Sequence, residues 1–279
     1  QSATWPSTAA QGGATVQHVT GTKNAGSAYP LLFPTRGVTQ GQSLVLFQRA
    51  VAGGSVNNND FFSVTLGPDG GVEVEGGAAT SISQNGVFNL QVVELAGASV
   101  DHVHSNAGNA DQYSVGALAA VDPLRTFVLE THRGGTAGGS NDQLCAVMAR
   151  ASMPDATSVR WNRTNGNGGC AGTTTEAVDW QRAQLAAGNT VTAVNLTFGN
   201  GAATAAVPVS FDLSRTFLVT SSQAAGGQSG LETADTGATL GDAQVVIDCN
   251  AVAGTCTATR GSTGSSASAT VYAVQLDPR

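Results

Sequence analysis

A threefold internal repeat constrains this chain more than any other feature. Three segments end alike in leucine: Leu90–Leu95, Trp180–Leu185 and Val271–Leu276. Three others begin alike: Val16–Val19, Val100–Val103 and Val191–Val194. A middle segment recurs as Arg125–Leu129 and Arg215–Val219, with Gln42–Leu46 in the same place of the first copy. Landmarks that recur in one order at a period of about 90 residues indicate tandem structural units.

Each copy has the residue pattern of short β-strands. Apolar and polar residues alternate in Phe62–Leu66 and Val159–Arg163, which is typical of strands with one buried face. Turn sequences such as Pro68–Gly71 separate such runs, and the chain holds 36 glycines. The segment Thr174–Leu185 is the only stretch that resembles a helix, and its alternation favours a strand. The sequence therefore predicts an all-β protein of three tandem β-sandwich or jelly-roll-like modules.

The repeat also predicts where the modules begin and end. We expect an N-terminal extension over residues 1–15 and modules over residues 16–97, 98–188 and 189–279. The linkers, Ala96-Gly97 and Ala186-Ala187-Gly188, are too short to act as flexible tethers. The modules are therefore expected to stack as a semi-rigid unit.

Composition and charge narrow the partners and the compartment. Charged residues make up only 11% of the chain, and the net charge is −7 with no basic stripe, so nucleic acid is not an expected partner. No apolar run reaches the length of a membrane span. The sequence begins at Gln1 without a methionine, which fits removal of a signal peptide, although trimming would look the same. We expect a secreted or cell-surface protein, with a virion surface as the alternative.

The four cysteines lack the C-x-x-C spacing of zinc and redox sites. An even number of cysteines in a secreted chain favours two disulfides. Cys249 and Cys256 flank a hairpin-like loop and are expected to pair, which leaves Cys145 to pair with Cys170. The alternative is four buried free thiols.

Two pairs of residues that contain histidine are the only candidates for a metal or acid–base site. His102 and His104 lie on one face of a probable strand, and Glu130 and His132 share a face after the middle strand. We expect the first pair to be polar surface and the second a solvent-exposed neighbour pair. Gly227–Leu231 fails the G-x-S-x-G pattern of a serine nucleophile at its last position. The sequence thus predicts neither an enzyme nor a metal or other cofactor.

Two sequence features bear on contacts with sugars, and both are weak indicators. The segments Asn57–Asp60 and Ser140–Gln143 are rich in amides and hydroxyls, as sugar-binding loops are, but ordinary sandwich loops share this composition. Asn162 and Asn195 match the N-x-[ST] glycosylation pattern, at a frequency close to chance in so Asn- and Thr-rich a chain.

The strand ending W-Q-x-x-x-L at Trp180–Leu185, together with D-P-L-R-T-F-V-L at Asp122–Leu129, resembles modules of tandem β-repeat proteins from prokaryotic surfaces and phage virions. It is also similar to H-type lectin modules, whose last strand carries a buried tryptophan. The other copies have Leu90 and Val271 at the position of Trp180. The resemblance therefore implies a fold rather than a sugar site, and it transfers no binding residue.

Two functions agree with these features. The first is a structural subunit of an extracellular filament, sheath or virion appendage that assembles with copies of itself, since low charge lets identical subunits approach. The second is a surface adhesin that binds glycans. Residues 1–15 lie outside the repeat, so they are a candidate intersubunit arm with Trp5 as its apolar anchor. A frayed terminus is the alternative for this segment.

Overall fold

A computed structural model describes residues 13–51, 62–76, 86–106, 112–133, 149–163, 177–224, 244–264 and 266–277. These residues form eighteen β-strands and three short 3-10 turns, and none of them lies in an α-helix. The turns are Gln40–Gln42, Pro123–Arg125 and Leu213–Arg215, each directly before the third strand of its module. The strands belong to six antiparallel three-stranded sheets. The predicted all-β, three-module architecture is confirmed.

The first module contains two sheets with strand orders β1-β6-β3 and β2-β5-β4. Its strands are β1 (Ala14–Lys23), β2 (Leu31–Phe33), β3 (Ser43–Val51), β4 (Phe62–Leu66), β5 (Val72–Gly76) and β6 (Gly86–Leu95). Strand β1 begins inside the predicted extension, and Ala14 pairs with Leu95. Residues 14 and 15 therefore belong to the first sheet of this module.

The second and third modules repeat this topology strand for strand, with sheet orders β7-β12-β9 and β10-β11-β8, then β13-β18-β15 and β14-β17-β16. The second module has β7 (Ser99–Asn106), β8 (Gln112–Val115), β9 (Thr126–Arg133), β10 (Ala149–Asp155), β11 (Ser158–Arg163) and β12 (Ala177–Gln184). The third has β13 (Thr190–Phe198), β14 (Thr204–Val207), β15 (Thr216–Ala224), β16 (Val245–Asn250), β17 (Thr255–Arg260) and β18 (Ala267–Gln275). In every module the sixth strand is the centre of the first sheet, and the third and fourth strands are sheet edges.

The inward faces of the two sheets of a module form its core, as the alternating pattern requires. In the first module Phe62 packs edge-on against Phe88, with ring centroids 5.6 Å apart. In the third module the core is built mostly from small residues around Phe198. In the second module Trp180 is buried, and its indole N–H donates a 2.8 Å hydrogen bond to the Ser105 hydroxyl.

An aspartate–arginine clasp explains why the middle landmark recurs. Asp122 accepts hydrogen bonds from the Arg125 side chain at 2.9 Å and from the Leu124 N–H at 3.0 Å, which lower the pKa of this carboxyl. Arg125 also donates to the Leu185 carbonyl at the end of β12, at 3.1 Å. Asp212, Arg215 and Leu276 form the same clasp in the third module. The clasp fixes the start of the third strand to the end of the sixth.

The terminal leucines occupy equivalent positions, but they are not equally buried. The residues before them pair in one register in all three modules: Glu94 with Ser43, Gln184 with Thr126 and Gln275 with Thr216. Leu95 and Leu185 are buried in an apolar cluster that spans all three modules, and Leu95 lies outside the core of the first module itself. Leu276 is half-buried. Burial at this repeated position therefore differs from one module to the next.

Glycines with positive φ turn the chain from one module to the next. Gly97 has φ 73° and Gly188 has φ 94°, a region that side chains disfavour. A Cβ at Gly188 would lie 2.4 Å from the Asp277 carboxylate, so that side chain would have to move as well as the backbone adopting a strained angle.

Candidate functional site

The modules meet through a contact that occurs twice in the chain. In the first joint, edge strands β3 and β4 of module 1 pack on the first sheet of module 2, on the face turned away from that module's own core. In the second joint, β9 and β10 of module 2 pack in the same way on the first sheet of module 3. We call this outward side of each first sheet its outer face.

A glutamine side chain completes the edge of β3 in the first joint. Gln181 projects from the outer face of β12 and is only 1% exposed. The Val45 N–H donates to its Oε1 at 2.6 Å, and its Nε2 donates to the Val45 carbonyl at 3.0 Å. The amide thus replaces the backbone partner that an edge strand lacks. Because an unpaired buried backbone group is costly, this bond fixes the register of the joint.

In both joints a hydroxyl group at one equivalent position hydrogen-bonds the backbone of the other edge strand, which is the fourth strand of the preceding module. The Thr131 hydroxyl accepts from the Val64 N–H at 2.8 Å and lies 3.3 Å from the Val64 carbonyl. In the second joint the Ser221 hydroxyl accepts from the Ala151 N–H at 2.8 Å. Thr131 and Ser221 each lie six residues after the arginine of their clasp. The two joints therefore use one device on different sequences.

The second joint places a tyrosine where the first has Gln181. Tyr272 lies on the outer face of β18, is 2% exposed and hydrogen-bonds the Met153 backbone on β10. Burial raises the pKa of this phenol to about 12, so Tyr272 is neutral at every physiological pH. A long polar side chain that reaches an edge strand is thus common to both joints.

His102 extends the first joint to the 3-10 turn that precedes β3. Its Nε2 lies 3.2 Å from the Gln40 carbonyl and 3.0 Å from the Ser43 carbonyl. Burial lowers the pKa of the imidazole, while the two backbone hydrogen bonds and the charges of Asp101 and Asp179 partly oppose this shift. His102 is half-buried, so the preceding module covers part of a side chain that the sequence assigned to polar surface.

Apolar packing is continuous through both joints. One buried cluster contains Leu44 and Leu95 of module 1, the core of module 2, and Val219 and Val274 of module 3. Phe127 and Phe217, which are equivalent residues of neighbouring modules, pack edge-on with centroids 6.1 Å apart. An ion pair between Arg133 and Glu75 also crosses the first joint. The modules are therefore packed together rather than tethered.

The Glu130–His132 pair lies beside the second joint. His132 Nδ1 is 2.7 Å from Glu130 Oε2, and the two side chains are 11% and 7% exposed. The expectation of a solvent-exposed pair is wrong, since β10 and the Ser221 side of module 3 enclose it. Glu130 also approaches the Ser221 hydroxyl at 3.5 Å. The pair belongs to the contact between modules.

The described residues contain neither a group of metal ligands nor a membrane-spanning helix. Within them, no three His, Cys, Asp or Glu side chains are grouped so that they could hold a metal ion. His104 is 2.8 Å from Asp179, and no third ligand of these residue types completes that pair among the described residues. The structure likewise contains, where it is described, no helix of the length and apolarity that crossing a bilayer requires.

A buried arginine was missed by the sequence reasoning. Arg182 is 1% exposed and donates to Asp101 at 2.9 and 2.5 Å. It also donates to the Ala156 and Ala119 carbonyls at 3.2 and 2.7 Å. These four bonds hold the guanidinium inside module 2, so it supports the fold of the sheet that carries Gln181.

The structure bears on only some of the predicted site residues. Cys249 and Cys256 form a disulfide across β16 and β17, as predicted. Cys145, Cys170 and Trp5 lie outside the described residues, as do Asn57–Asp60, Ser140–Gln143 and Gly227–Leu231. Asn195 is exposed on β13, and Asn162 is half-buried on β11.

The residues of the joints were not recognised as a site from the sequence. The usable signal is the second position of the final repeat segment, which is Gln91, Gln181 and Tyr272 in the three copies. A long polar side chain is kept there in each copy, although an outward strand position otherwise tolerates any polar residue. Recognising it as a contact requires knowing that another module covers this face.

Comparison with known proteins gives no match, either to the models of protein families or among curated proteins.

Proposed function

We propose that the protein is a structural subunit of an extracellular filament, sheath or virion appendage that assembles with copies of itself through its β modules. The observation that carries the proposal is the joint that occurs twice with one geometry. Each joint buries apolar side chains and completes an edge strand with a polar side chain. A chain that already joins equivalent modules by one repeated contact is suited to continue it between subunits.

The low charge of the chain supports the same proposal. Only 11% of residues are charged, so identical subunits approach each other with little repulsion. The Cys249–Cys256 disulfide fits an oxidising compartment such as the outside of a cell. A surface location and a structural rather than enzymatic role are parts of the proposal.

Sedimentation velocity over a wide concentration range tests this function. A structural subunit forms large species as concentration rises, with each species built from intact chains. A glycan array probed with the same preparation is the counter-test. Strong binding of one glycan by a protein that stays monomeric throughout would favour the adhesin and overturn the structural proposal.

A further inference from the structure

The first module carries an outer face like the two that are covered inside the chain. In β12 and β18 the outward residues are nearly all buried, because the preceding module lies on them. In β6 burial alternates, and the outward residues Val87, Asn89 and Gln91 are exposed. Their buried counterparts are Ala177, Asp179 and Gln181 in module 2, and Thr270 and Tyr272 at the last two positions in module 3. Module 1 thus presents half of a joint.

The third module carries the other half. Its edge strands β15 and β16 are equivalent to the pairs that enter the two joints. Ser63 on β4 is 2% exposed within the first joint, whereas its counterpart Val246 on β16 is 69% exposed. Phe127 is fully buried, whereas Phe217 is 38% exposed. Apolar side chains on an edge strand that would otherwise face water mark a contact surface.

The polar groups that complete edge strands recur on module 1 as well. Gln91 takes the position of Gln181 and Tyr272, Gln48 that of Thr131 and Ser221, and His18 that of His102. Gln91, Gln48 and His18 are all exposed. The backbone groups they would meet belong to module 3: the edges of β15 and β16, and the carbonyls of Leu213 and Thr216 before and within β15. Amide and imidazole groups are matched in kind to such acceptors and donors.

We propose that copies of this chain join head to tail, with the β15–β16 edge of one copy on the outer face of the β1-β6-β3 sheet of the next. This inference rests on the proposed self-assembly and names its contact. The two surfaces are different and complementary, so the contact is heterologous and leaves a free half-joint at each end. Such a contact continues into an open filament, in which modules follow one another through equivalent joints within and between chains.

Two aspartate variants block one half-joint each. Gln91→Asp places a charge on the outer face of module 1, and Val246→Asp places one on the edge of module 3. Both positions are exposed in the single chain, so folding is retained, as circular dichroism would verify. A charge without a partner in a buried contact is expected to weaken self-association by about a hundredfold or more.

Matched controls change a glutamine and an aliphatic residue at exposed strand positions outside the joints. Gln112→Asp on β8 matches the glutamine variant, and Leu32→Asp on β2 matches the valine variant. The positions equivalent to Leu32, which are Ser114 and Ala206, are exposed in the other modules as well. Both controls are expected to assemble like the unmodified chain.

Mixing the two blocked variants gives the decisive result. Gln91→Asp retains an intact edge and Val246→Asp an intact face, so the mixture is expected to form one-to-one dimers that grow no further. A mixture that stays monomeric, or single variants that polymerise like the controls, would overturn the head-to-tail contact while leaving self-assembly standing. An unmodified chain that never assembles would overturn both.

Discussion

The side-chain amide of Gln181 makes both hydrogen bonds that the backbone of Val45 offers at its strand edge, across a sequence separation of 136 residues. It joins the outer face of one module to the edge of the module before it. The hydroxyls of Thr131 and Ser221 do the same for the neighbouring edge strands. Packing between modules therefore depends on buried polar groups of defined geometry as well as on apolar area.

Replacing Gln181 with leucine is expected to destabilise the chain by about 2–3 kcal/mol, because two buried backbone groups of Val45 lose their partners. Denaturant unfolding of dilute, dissociated protein measures the loss. Gln91→Leu is the matched control, since the equivalent side chain is exposed there. Equal losses in the two variants would show that the buried amide contributes nothing specific.

The first joint is expected to weaken in mild acid. Burial lowers the pKa of His102 below its ordinary value of 6.5, so the unfolded chain binds a proton first as the pH falls. The contribution of His102 to the free energy of unfolding is therefore fully present above pH 6.5. It decreases as the pH falls from there toward the lower pKa of the folded state. The charges of Asp101 and Asp179, which raise the pKa of this imidazole, limit the effect.

Calorimetric midpoints at pH 7.5 and pH 5 test this expectation on the unmodified chain and on His102→Gln. The variant keeps a side-chain donor for the Gln40 and Ser43 carbonyls but does not titrate, so its midpoint should fall less. All other residues are the same in the two proteins, so their contributions cancel in the comparison. The same fall in both would rule out His102 as the cause.

The sequence was sufficient to predict an all-β fold of repeated modules, because alternation and turn residues are local signals and the repeat can be read directly from the chain. Recurrence of Arg125 and Arg215 has its cause within each module, since each arginine clasps the end of its own sixth strand. The joints depend on which face another module covers. Seven successive residues of β12 are buried, and nothing local distinguishes Gln181 there from an exposed strand glutamine.

Both predicted disulfides can be tested in one experiment. Cys249 and Cys256 close a short hairpin, and the cross-link is expected to contribute about 2–3 kcal/mol through the entropy of the unfolded chain. Denatured, unreduced protein treated with an alkylating reagent should take up no label if Cys145 and Cys170 are also paired. Two labels per chain would show that Cys145 and Cys170 are free thiols.

Deleting residues 1–12 distinguishes a subunit contact made by the terminal arm from one made by the module faces. Both half-joints lie within residues 13–277, so the shortened chain should fold and still assemble. Sedimentation of the shortened and complete chains at equal concentrations makes the comparison. Loss of assembly on deletion would instead assign the contact to the arm and its candidate anchor Trp5.

Electron microscopy of the concentrated protein tests the central claim of self-assembly most directly. The proposed function and contact predict unbranched filaments in which modules follow at one spacing, the same across the junction between two chains as within a chain. Particles no larger than a single three-module chain at every concentration would contradict it.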